Sequence, residues 1–199
     1  MKRTILQIVL FIVIVVLGWL IYDSIMEPVR FNKEKNHREK VVIQYLKDIR
    51  NAELLYKQLN QKYTGSFDTL IHFMDSAEIP VVKMVPDPTD TTFTRTINDT
   101  LGYVRVADSL FGKRKDFDYH HINLIPFSNN QEFELHAGVI TKGGVKVNVF
   151  EAKAPYEAFL YGMDEQTIRN LIQSKKDIDR YPGLKVGSMT EASTDGNWE

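Results

Sequence analysis

Ile5–Tyr22, ILQIVLFIVIVVLGWLIY, sets the architecture of the whole chain. It carries no charge, and its one amide is Gln7. A helix of this length extends about 27 Å, close to the roughly 30 Å of a bilayer's hydrocarbon core. In lipid, only a helix or a closed barrel satisfies the backbone polar groups, so the stretch predicts a transmembrane helix. The residues assigned to this membrane anchor are Ile5, Val9, Ile12, Val16, Trp19 and Tyr22.

The basic leader Met1–Arg3 followed by apolar residues also fits a cleaved secretory signal peptide. Such a signal needs small residues at its cleavage site, whereas Trp19–Met26 is mostly bulky where that site would fall. An uncleaved anchor is therefore the prediction, and the cleaved signal is the alternative. Pro28 is expected to end or kink the helix, because proline lacks a backbone donor.

The basic residues on both sides of the span bear on its orientation. Lys2 and Arg3 favour an N-terminus that stays in the cytoplasm. Basic residues that count in the opposite direction follow the span at Arg30, Lys33, Lys35, Arg38 and Lys40. The leader has the form of a signal anchor, so we expect the N-terminus inside and the bulk of the chain exported.

Charge and composition narrow the range of partners and chemistries. The formal net charge is −1 and the pI is about 6.5, so no binding to nucleic acid is predicted. The basic cluster Lys113–Lys115 is short and lies next to acidic residues, which indicates a solvated turn. The sequence contains no cysteine, which excludes disulfides, zinc thiolate sites and thiol catalysis.

A helical pattern without proline or glycine runs from Phe31 to Tyr63. Apolar and aromatic residues recur in it at alternating spacings of three and four, which places them on one narrow face. These residues, the helix packing stripe, are Val42, Tyr45, Ile49, Ala52, Tyr56, Leu59 and Tyr63. We expect the stripe to pack on the protein's own sheet, and a coiled-coil dimer seam is the alternative. Asn32–Lys40 has no apolar stripe and predicts a solvated stalk.

Local signals on this helix predict ion pairs and a C-terminal end. Acidic residues precede basic ones by four positions in the pairs Glu34–Arg38 and Glu53–Lys57. Gly65 is in a position that favours a helix C-cap. Ser66 then predicts the N-cap of a short helix that runs from Phe67 to Met74.

The middle of the chain has the composition of strands. Ile79–Val85 predicts a strand, and Pro80 suggests that it lies at a sheet edge or begins there. Thr91–Asp108 predicts two short strands, TFTRTI and LGYVRVA, joined by a polar turn at Asn98–Thr100.

The clearest hairpin pattern lies further along. Apolar and polar residues alternate in Glu132–Val139, and the alternation resumes in Val145–Val149 after Gly143-Gly144. Period-two patterning on both sides of a Gly-Gly turn predicts antiparallel pairing with one buried face. Tyr156–Tyr161 is expected to form a further strand.

The C-terminal part predicts one more helix. Asp164 is expected to cap a helix of about a dozen residues that turns its apolar residues inward. These residues are Ile168, Leu171 and Ile172. Tyr181–Gly183 predicts a turn, and Thr190–Glu199 is small and polar, which favours a loose tail.

These elements together predict the α+β class. A transmembrane helix continues into an amphipathic helix that packs on an antiparallel sheet, and a further helix lies near the C-terminus. The predicted divisions are a cytoplasmic leader and anchor at 1–27, a stalk and amphipathic helix at 28–63, an exported α+β domain at 64–189 and a flexible tail at 190–199.

This order of parts resembles that of type IV pilins and type II secretion pseudopilins. In that family the first helix is long, its second half packs on an antiparallel sheet, and it ends in an aromatic-rich segment similar to Tyr56–Tyr63. Thr64–Leu70 is similar to the loop and small helix that follow there. The chain also resembles bacterial single-pass envelope proteins of unknown activity. The resemblance implies a bacterial inner-membrane protein with most of its chain in the periplasm, and other envelope proteins or self-association as partners.

The sequence also departs from the pilin pattern. The family's processing site is a glycine followed by phenylalanine, with a glutamate inside the apolar helix. This sequence has no such glycine before Ile5–Tyr22 and no acid within it, where Gln7 is the nearest polar residue. The processing site and the buried carboxylate that supports polymerisation are therefore both missing from the pattern.

Candidate chemical sites each have a simpler explanation. His120 and His121 are adjacent, and neighbours on a strand point to opposite faces, so a zinc site would need remote partners such as His72 and His136. The acidic residues around Asp87–Asp99 lack the spacing of an EF-hand. The prediction is therefore no catalytic residue, no cofactor and no metal site. Ser188 and Ser193 lack a nucleophile elbow, and Gly143-Gly144 lies between strands rather than before a helix.

Two functions follow as hypotheses. The first is a non-enzymatic structural or assembly component of a pilin-like or secretion-type machine, anchored by a single span. The alternative is a membrane-tethered periplasmic enzyme or ligand-binding domain that uses the histidines and acids.

Overall fold

The computed structural model describes residues 2–86, 96–114 and 117–199. Within them the helices are α1 (Lys2–Asn60), α2 (Phe67–Ser76), α3 (Val106–Phe111), α4 (Tyr156–Phe159) and α5 (Glu165–Lys176), with a short 3₁₀ helix at Tyr119–His121. The strands are β1 (Glu78–Pro86), β2 (Thr96–Arg105), β3 (Glu134–Lys142), β4 (Val145–Pro155) and β5 (Gly183–Gly187). The fold is α+β, as the sequence predicts, with a long apolar N-terminal helix and antiparallel sheets.

Helix α1 joins the predicted anchor and the predicted amphipathic helix into one element. Pro28 is expected to end or kink the helix; it lies inside α1, so the helix does not end there. Proline removes one hydrogen bond, and the uninterrupted turns on both sides continue the helix past it. The helix ends at Asn60, and Gln61 takes the left-handed conformation with φ 60°, so Gly65 is not its C-cap.

Helix α2 begins where the sequence predicts. The side chain of Ser66 accepts a hydrogen bond from the backbone N–H of Thr69, which satisfies a free donor of the first turn. The residues that α2 buries are Leu70, Phe73 and Met74. The cap and the apolar face together fix α2 against the core.

Strands β1 and β2 form a separate two-stranded antiparallel sheet. The pairing runs from Glu78 with Arg105 to Pro86 with Thr96, with a register shift between Val81 and Val82. The predicted turn at Asn98–Thr100 is wrong, because these residues pair within β2. The predicted strand TFTRTI falls largely on residues 92–95, which lie outside the described residues.

Strands β3, β4 and β5 form the second sheet, in that order and all antiparallel. The predicted β3–β4 hairpin is confirmed, and its turn uses Gly143 and Gly144, both at positive φ. The predicted strand at Tyr156–Tyr161 is wrong, because α4 forms there and the Leu160 N–H donates to the Tyr156 carbonyl. A short apolar run with aromatic residues does not distinguish a strand from a helix by its pattern.

Helix α5 follows the prediction closely. The Asp164 side chain accepts a hydrogen bond from the backbone N–H of Thr167 and caps the helix. Ile168 and Ile172 are buried, and Leu171 is half-buried. The core lies where α1, the three-stranded sheet, α2, α3 and α4 meet, around Leu46, Ile49, Leu70, Met74, Phe150 and Phe159.

The C-terminal residues differ from the expectation of a loose tail. Val186 in β5 forms a β-bridge with Gly196, and the Asn197 N–H donates to the Lys185 carbonyl at 3.0 Å. Arg50 of α1 pairs with Glu199 at 2.9 Å between Nη1 and Oε1. The tail is therefore held against β5 and α1, in spite of its small and polar composition.

Candidate functional site

Helix α1 exposes every apolar side chain from Ile8 to Tyr22 to its surroundings. It is long and apolar enough to cross a membrane. The anchor residues at positions 9, 12, 16, 19 and 22 are 48–63% exposed, and the side chain of Ile5 lies outside the described residues. A continuous exposed apolar surface of this size is unfavourable in water and favourable in lipid.

The helix packing stripe divides between buried and exposed positions. Val42, Ile49 and Ala52 are fully buried, and Tyr45 and Tyr56 are half-buried. Leu59 is 42% exposed, because α1 ends one residue later and the chain turns away. Tyr63 lies beyond the helix, buried with its ring centroid 4.7 Å from that of Phe150.

The predicted solvated stalk, Asn32–Lys40, is exposed at six of its nine residues, and its remaining face lies against the domain. Phe31 is half-buried and packs against the core cluster. Arg38 Nη1 donates to the carbonyls of Phe159 at 3.2 Å and Tyr161 at 2.9 Å, and the guanidinium lies 5.2 Å from the centre of the Phe127 ring. These contacts connect segments far apart in sequence, so the helix pattern alone did not reveal them. The predicted pair of Arg38 with Glu34 is present at 2.8 Å.

Glu53 is the clearest buried ionisable residue on α1. It is fully buried, and its Oε2 accepts a hydrogen bond from the Thr64 N–H at 3.0 Å, while Oε1 has no partner among the described residues. Burial raises the pKa of Glu53 to about 8, and the bond from Thr64 opposes this only in part. Glu53 is thus a neutral carboxylic acid at pH 7, and the predicted surface pair with Lys57 is absent from the described contacts.

Asp48 forms a second buried acidic position one and a half turns earlier. Its Oδ1 lies 2.7 Å from Arg114 Nη2 and accepts a hydrogen bond from Gln44 at 3.0 Å. Burial raises the pKa of Asp48 in spite of the adjacent guanidinium. Arg114, predicted to lie in a solvated turn, instead holds this carboxylate, and its guanidinium lies 4.4 Å from the centre of the Phe117 ring.

A third acidic residue, Glu151, lies between two lysines on the sheet. Lys153 Nζ is 2.7 Å from its Oε2, and Lys185 Nζ is 3.0 Å from its Oε1. Burial alone would raise the pKa of Glu151, but the two ammonium groups outweigh it and lower the pKa. This group is a closed ion-pair cluster that joins β4 to β5.

A cleft of about 430 Å³ lies between α1, β5 and the C-terminal residues. Its lining includes Glu39, Tyr156, Lys175, Arg180, Tyr181 and Trp198. The indole Nε1 of Trp198 is buried and has no acceptor among the described residues. Burial, with Glu39 nearby, raises the pKa of Tyr156 to about 12, and burial raises that of Tyr181 too, so both phenols remain donors at neutral pH.

The histidines do not converge. His120 and His121 lie on the 3₁₀ helix rather than on a strand, and His121 Nδ1 lies 2.6 Å from Asp118 Oδ2. His72 belongs to α2 and His136 to β3. Within residues 2–86, 96–114 and 117–199, no three His, Cys, Asp or Glu side chains are grouped as a metal site.

The other positions singled out by the sequence stabilise turns or fall outside the described residues. Ser188 Oγ lies 3.1 Å from Thr190 Oγ1, and Ser193 Oγ donates to Asp195 at 2.9 Å. Asp99 belongs to β2. Asp87 and Asp90, considered for calcium, lie outside the described residues.

Comparisons of this chain with protein-family models, with curated proteins and with solved structures found no match.

Proposed function

We propose that this chain is a single-pass protein of a bacterial inner membrane whose periplasmic domain works as a non-enzymatic structural or assembly component. The pilin-like or secretion-type machine of the sequence resemblance is the setting in which this role is proposed. The observation that carries the proposal is the continuity of α1, whose exposed apolar first third runs without a break into the helix at the centre of the domain.

Because α1 is continuous, it fixes the position of the domain relative to the membrane anchor. A flexible linker would let a domain move freely relative to its anchor, whereas a continuous helix holds it at a defined height. Arg38, about 24 Å beyond Tyr22 along α1, strengthens the connection by bonding two carbonyls of the domain. Such a fixed height suits a protein that must meet its neighbours in register, and it adds nothing to the chemistry of a soluble substrate.

The β1–β2 sheet supplies a surface for protein contacts. Leu101 is 65% exposed and Tyr103 67% exposed, and Val81 and Val82 beside them are each more than 40% exposed. A two-stranded sheet is marginally stable in water, and exposed apolar strands favour pairing with another chain. We infer that this sheet is where an envelope partner or a second copy binds.

A photocrosslinking experiment in native membranes tests the assembly role. A photoreactive amino acid at Tyr103 is expected to give an adduct of discrete mass, identifiable by mass spectrometry. The matched control is Glu165, whose side chain is 83% exposed on α5. Equal, diffuse labelling at both positions, with the chain extracted as a monomer, contradicts the proposal.

A second function, ligand binding by the tethered domain, is favoured by the cleft at Trp198. In its lining Glu39 is paired with Lys35 and Lys185 with Glu151, which leaves Lys175 and Arg180 against Asp179, and this excess of positive charge suits a small anion. The Trp198 indole N–H resonance, assigned with Trp198→Phe, is expected to shift on titration with acetate or inorganic phosphate. The shift should disappear in Arg180→Ala, and an unmoved resonance in the unsubstituted chain rejects this candidate.

A further inference from the structure

One side of α1 is exposed and uncharged from Gln7 to Asn36. Its residues recur at spacings of three or four, so they lie above one another on a helix of 3.6 residues per turn. This side is about 44 Å long, and all of its residues are exposed. We call it the neutral face, and its members are Gln7, Phe11, Ile14, Gly18, Ile21, Ile25, Val29, Asn32 and Asn36.

The charged residues in this part of α1 lie on its other sides. The charged residues that follow Tyr22, up to and including Arg38, are Asp23, Glu27, Arg30, Lys33, Glu34, Lys35 and Arg38, and none of them belongs to the neutral face. Lys40 is the next residue at helical spacing after Asn36, and it ends the neutral face. A long uncharged side in a segment so rich in charge indicates a contact that charge would oppose.

The domain contacts α1 on sides other than the neutral face. His37 and Arg38 both lie beside Phe127, with the His37 and Phe127 ring centroids 6.0 Å apart. Asn32 and Asn36 remain exposed at the same level of the helix. The domain therefore leaves the neutral face open for another molecule.

The neutral face extends through two environments. Phe11 and Ile14 lie within the apolar span, whereas Asn32 lies about 15 Å beyond Tyr22 along the helix. Lipid chains suit the apolar part and not the amides of Asn32 and Asn36, and water suits the amides and not the apolar part. A single occupant of the whole face is therefore a helix that crosses the same membrane and continues beyond it. Helix α1 of a second copy has this form.

The composition of the neutral face suits contact with itself. Two copies anchored in the same orientation lie at the same depth, and a two-fold axis along the membrane normal places each residue opposite its own copy. A charged residue would repel its copy, whereas an amide carries both donor and acceptor, so Gln7, Asn32 and Asn36 suit pairing with themselves. Among the described residues, no atom lies within 4 Å of a Cβ placed on Gly18, so a second backbone has room to approach there.

We propose that α1 pairs in parallel with α1 of a second copy of this chain through the neutral face. This inference rests on the proposed membrane anchor, and it names the second copy as one partner in the assembly role. The pairing uses a different surface from the β1–β2 sheet, so the two contacts are tested separately.

The absence of cysteine from the sequence allows a test by disulfide crosslinking. Single cysteines are introduced into the full-length chain on the neutral face, as Ile14→Cys and Asn32→Cys. The matched controls are Val16→Cys and Glu34→Cys, because a step of two residues turns a helix by roughly 200° and leads to the opposite side. Native membranes are oxidised with copper–phenanthroline, and disulfide-linked dimers are measured by electrophoresis without reductant.

The expected result is a dimer at positions 14 and 32 and little or none at 16 and 34. In the Asn32→Cys chain, Gln7→Leu is expected to lower the dimer yield about threefold, because a hydrogen bond between the two helices is lost. Val9→Leu, on the opposite side of α1, should leave the yield unchanged.

Equal yields at 14 and 16, or at 32 and 34, overturn the pairing, and so does the absence of dimers at all four positions. A photoadduct between Tyr103 and another protein in the same membranes would then leave the assembly role standing without the pairing. Release of the chain from membranes by alkaline carbonate would reject the anchor and the pairing together.

Discussion

Glu53 Oε2 accepts a hydrogen bond from the backbone N–H of Thr64 at 3.0 Å inside the protein core. This bond ties the last turns of α1 to the loop that leads into α2. The same loop fits closely on the sheet, since a Cβ on Gly65 would lie 3.2 Å from the Ala137 nitrogen. A buried carboxyl group thus joins the anchor helix to the rest of the fold.

Glu53→Gln is expected to change the pH dependence of folding stability. The pKa of Glu53 is raised from its ordinary 4.5 to about 8, so unfolding releases a proton between these values. Stability should therefore fall as pH rises from about 5 to 8, by up to about 1.4 kcal/mol per pH unit. Glutamine removes this slope and should leave stability at pH 5 within about 1 kcal/mol of the unsubstituted chain. Urea unfolding at several pH values measures the pH slope and the stability at pH 5 of the variant and of the unsubstituted chain. If the stabilities of the two proteins changed with pH in parallel, Glu53 would be charged in the folded state.

Arg38→Ala should loosen the contact between α1 and the segment after α4. The side chain is 16% exposed and bonds two carbonyls, so its loss is expected to cost about 2 kcal/mol. Hydrogen exchange should become faster at residues 159–163. The matched control is Lys33→Ala, an exposed position on the same helix. Equal protection in both variants would mean that Arg38 does not hold the domain to the helix.

Asp48 and Arg114 should be energetically coupled. Arg114→Ala leaves a buried carboxylate without its cation, so a loss of about 1–2 kcal/mol is expected, limited because Arg114 is 37% exposed. Asp48→Asn removes the charge that needs this partner. The double variant should therefore lose less stability than the two single variants lose in sum. A double-mutant cycle by denaturant unfolding measures the coupling energy. If the losses of stability in the two single variants added up to that of the double variant, the two charges would not stabilise each other.

Trp198→Ala should destabilise the fold by about 2 kcal/mol, because the partly buried indole packs on the core and covers Gly196. If the tail were loose, the substitution would leave the folding stability unchanged. Glu191→Ala, an exposed position in the same segment, is the control. Thermal unfolding of the two variants distinguishes a docked tail from a loose one.

The sequence predicted the elements whose signals are local. Gly143-Gly144 between two alternating segments is sufficient for the β3–β4 hairpin, and Asp164 and Ser66 mark their helices through hydrogen bonds within one turn. The predicted strand at Tyr156–Tyr161 was wrong because a run of six residues fits one helical turn as well as a strand. The predicted turn at Asn98–Thr100 was wrong because turn-forming residues are tolerated inside a strand of an exposed two-stranded sheet.

The candidate sites depended on contacts that no local pattern contains. Glu53 lies four residues before Lys57, which suggested an exposed pair, but the loop after α1 folds back and covers it. Arg38 lies in a charged segment that suggested solvent, yet it reaches carbonyls more than 120 residues away in sequence. Burial of charged residues is decided by tertiary contacts, so a single sequence does not reveal it.

Extraction of native membranes with alkaline carbonate tests the anchor most directly, combined with N-terminal sequencing of the retained chain. The chain is expected to stay in the membrane pellet and to begin before Ile5. Val13→Arg is expected to reduce the retained fraction, because arginine at the centre of a span costs about 2.5–3.5 kcal/mol. Recovery of the chain in the salt-washed soluble fraction, or an N-terminus located after Tyr22, would contradict the membrane anchor.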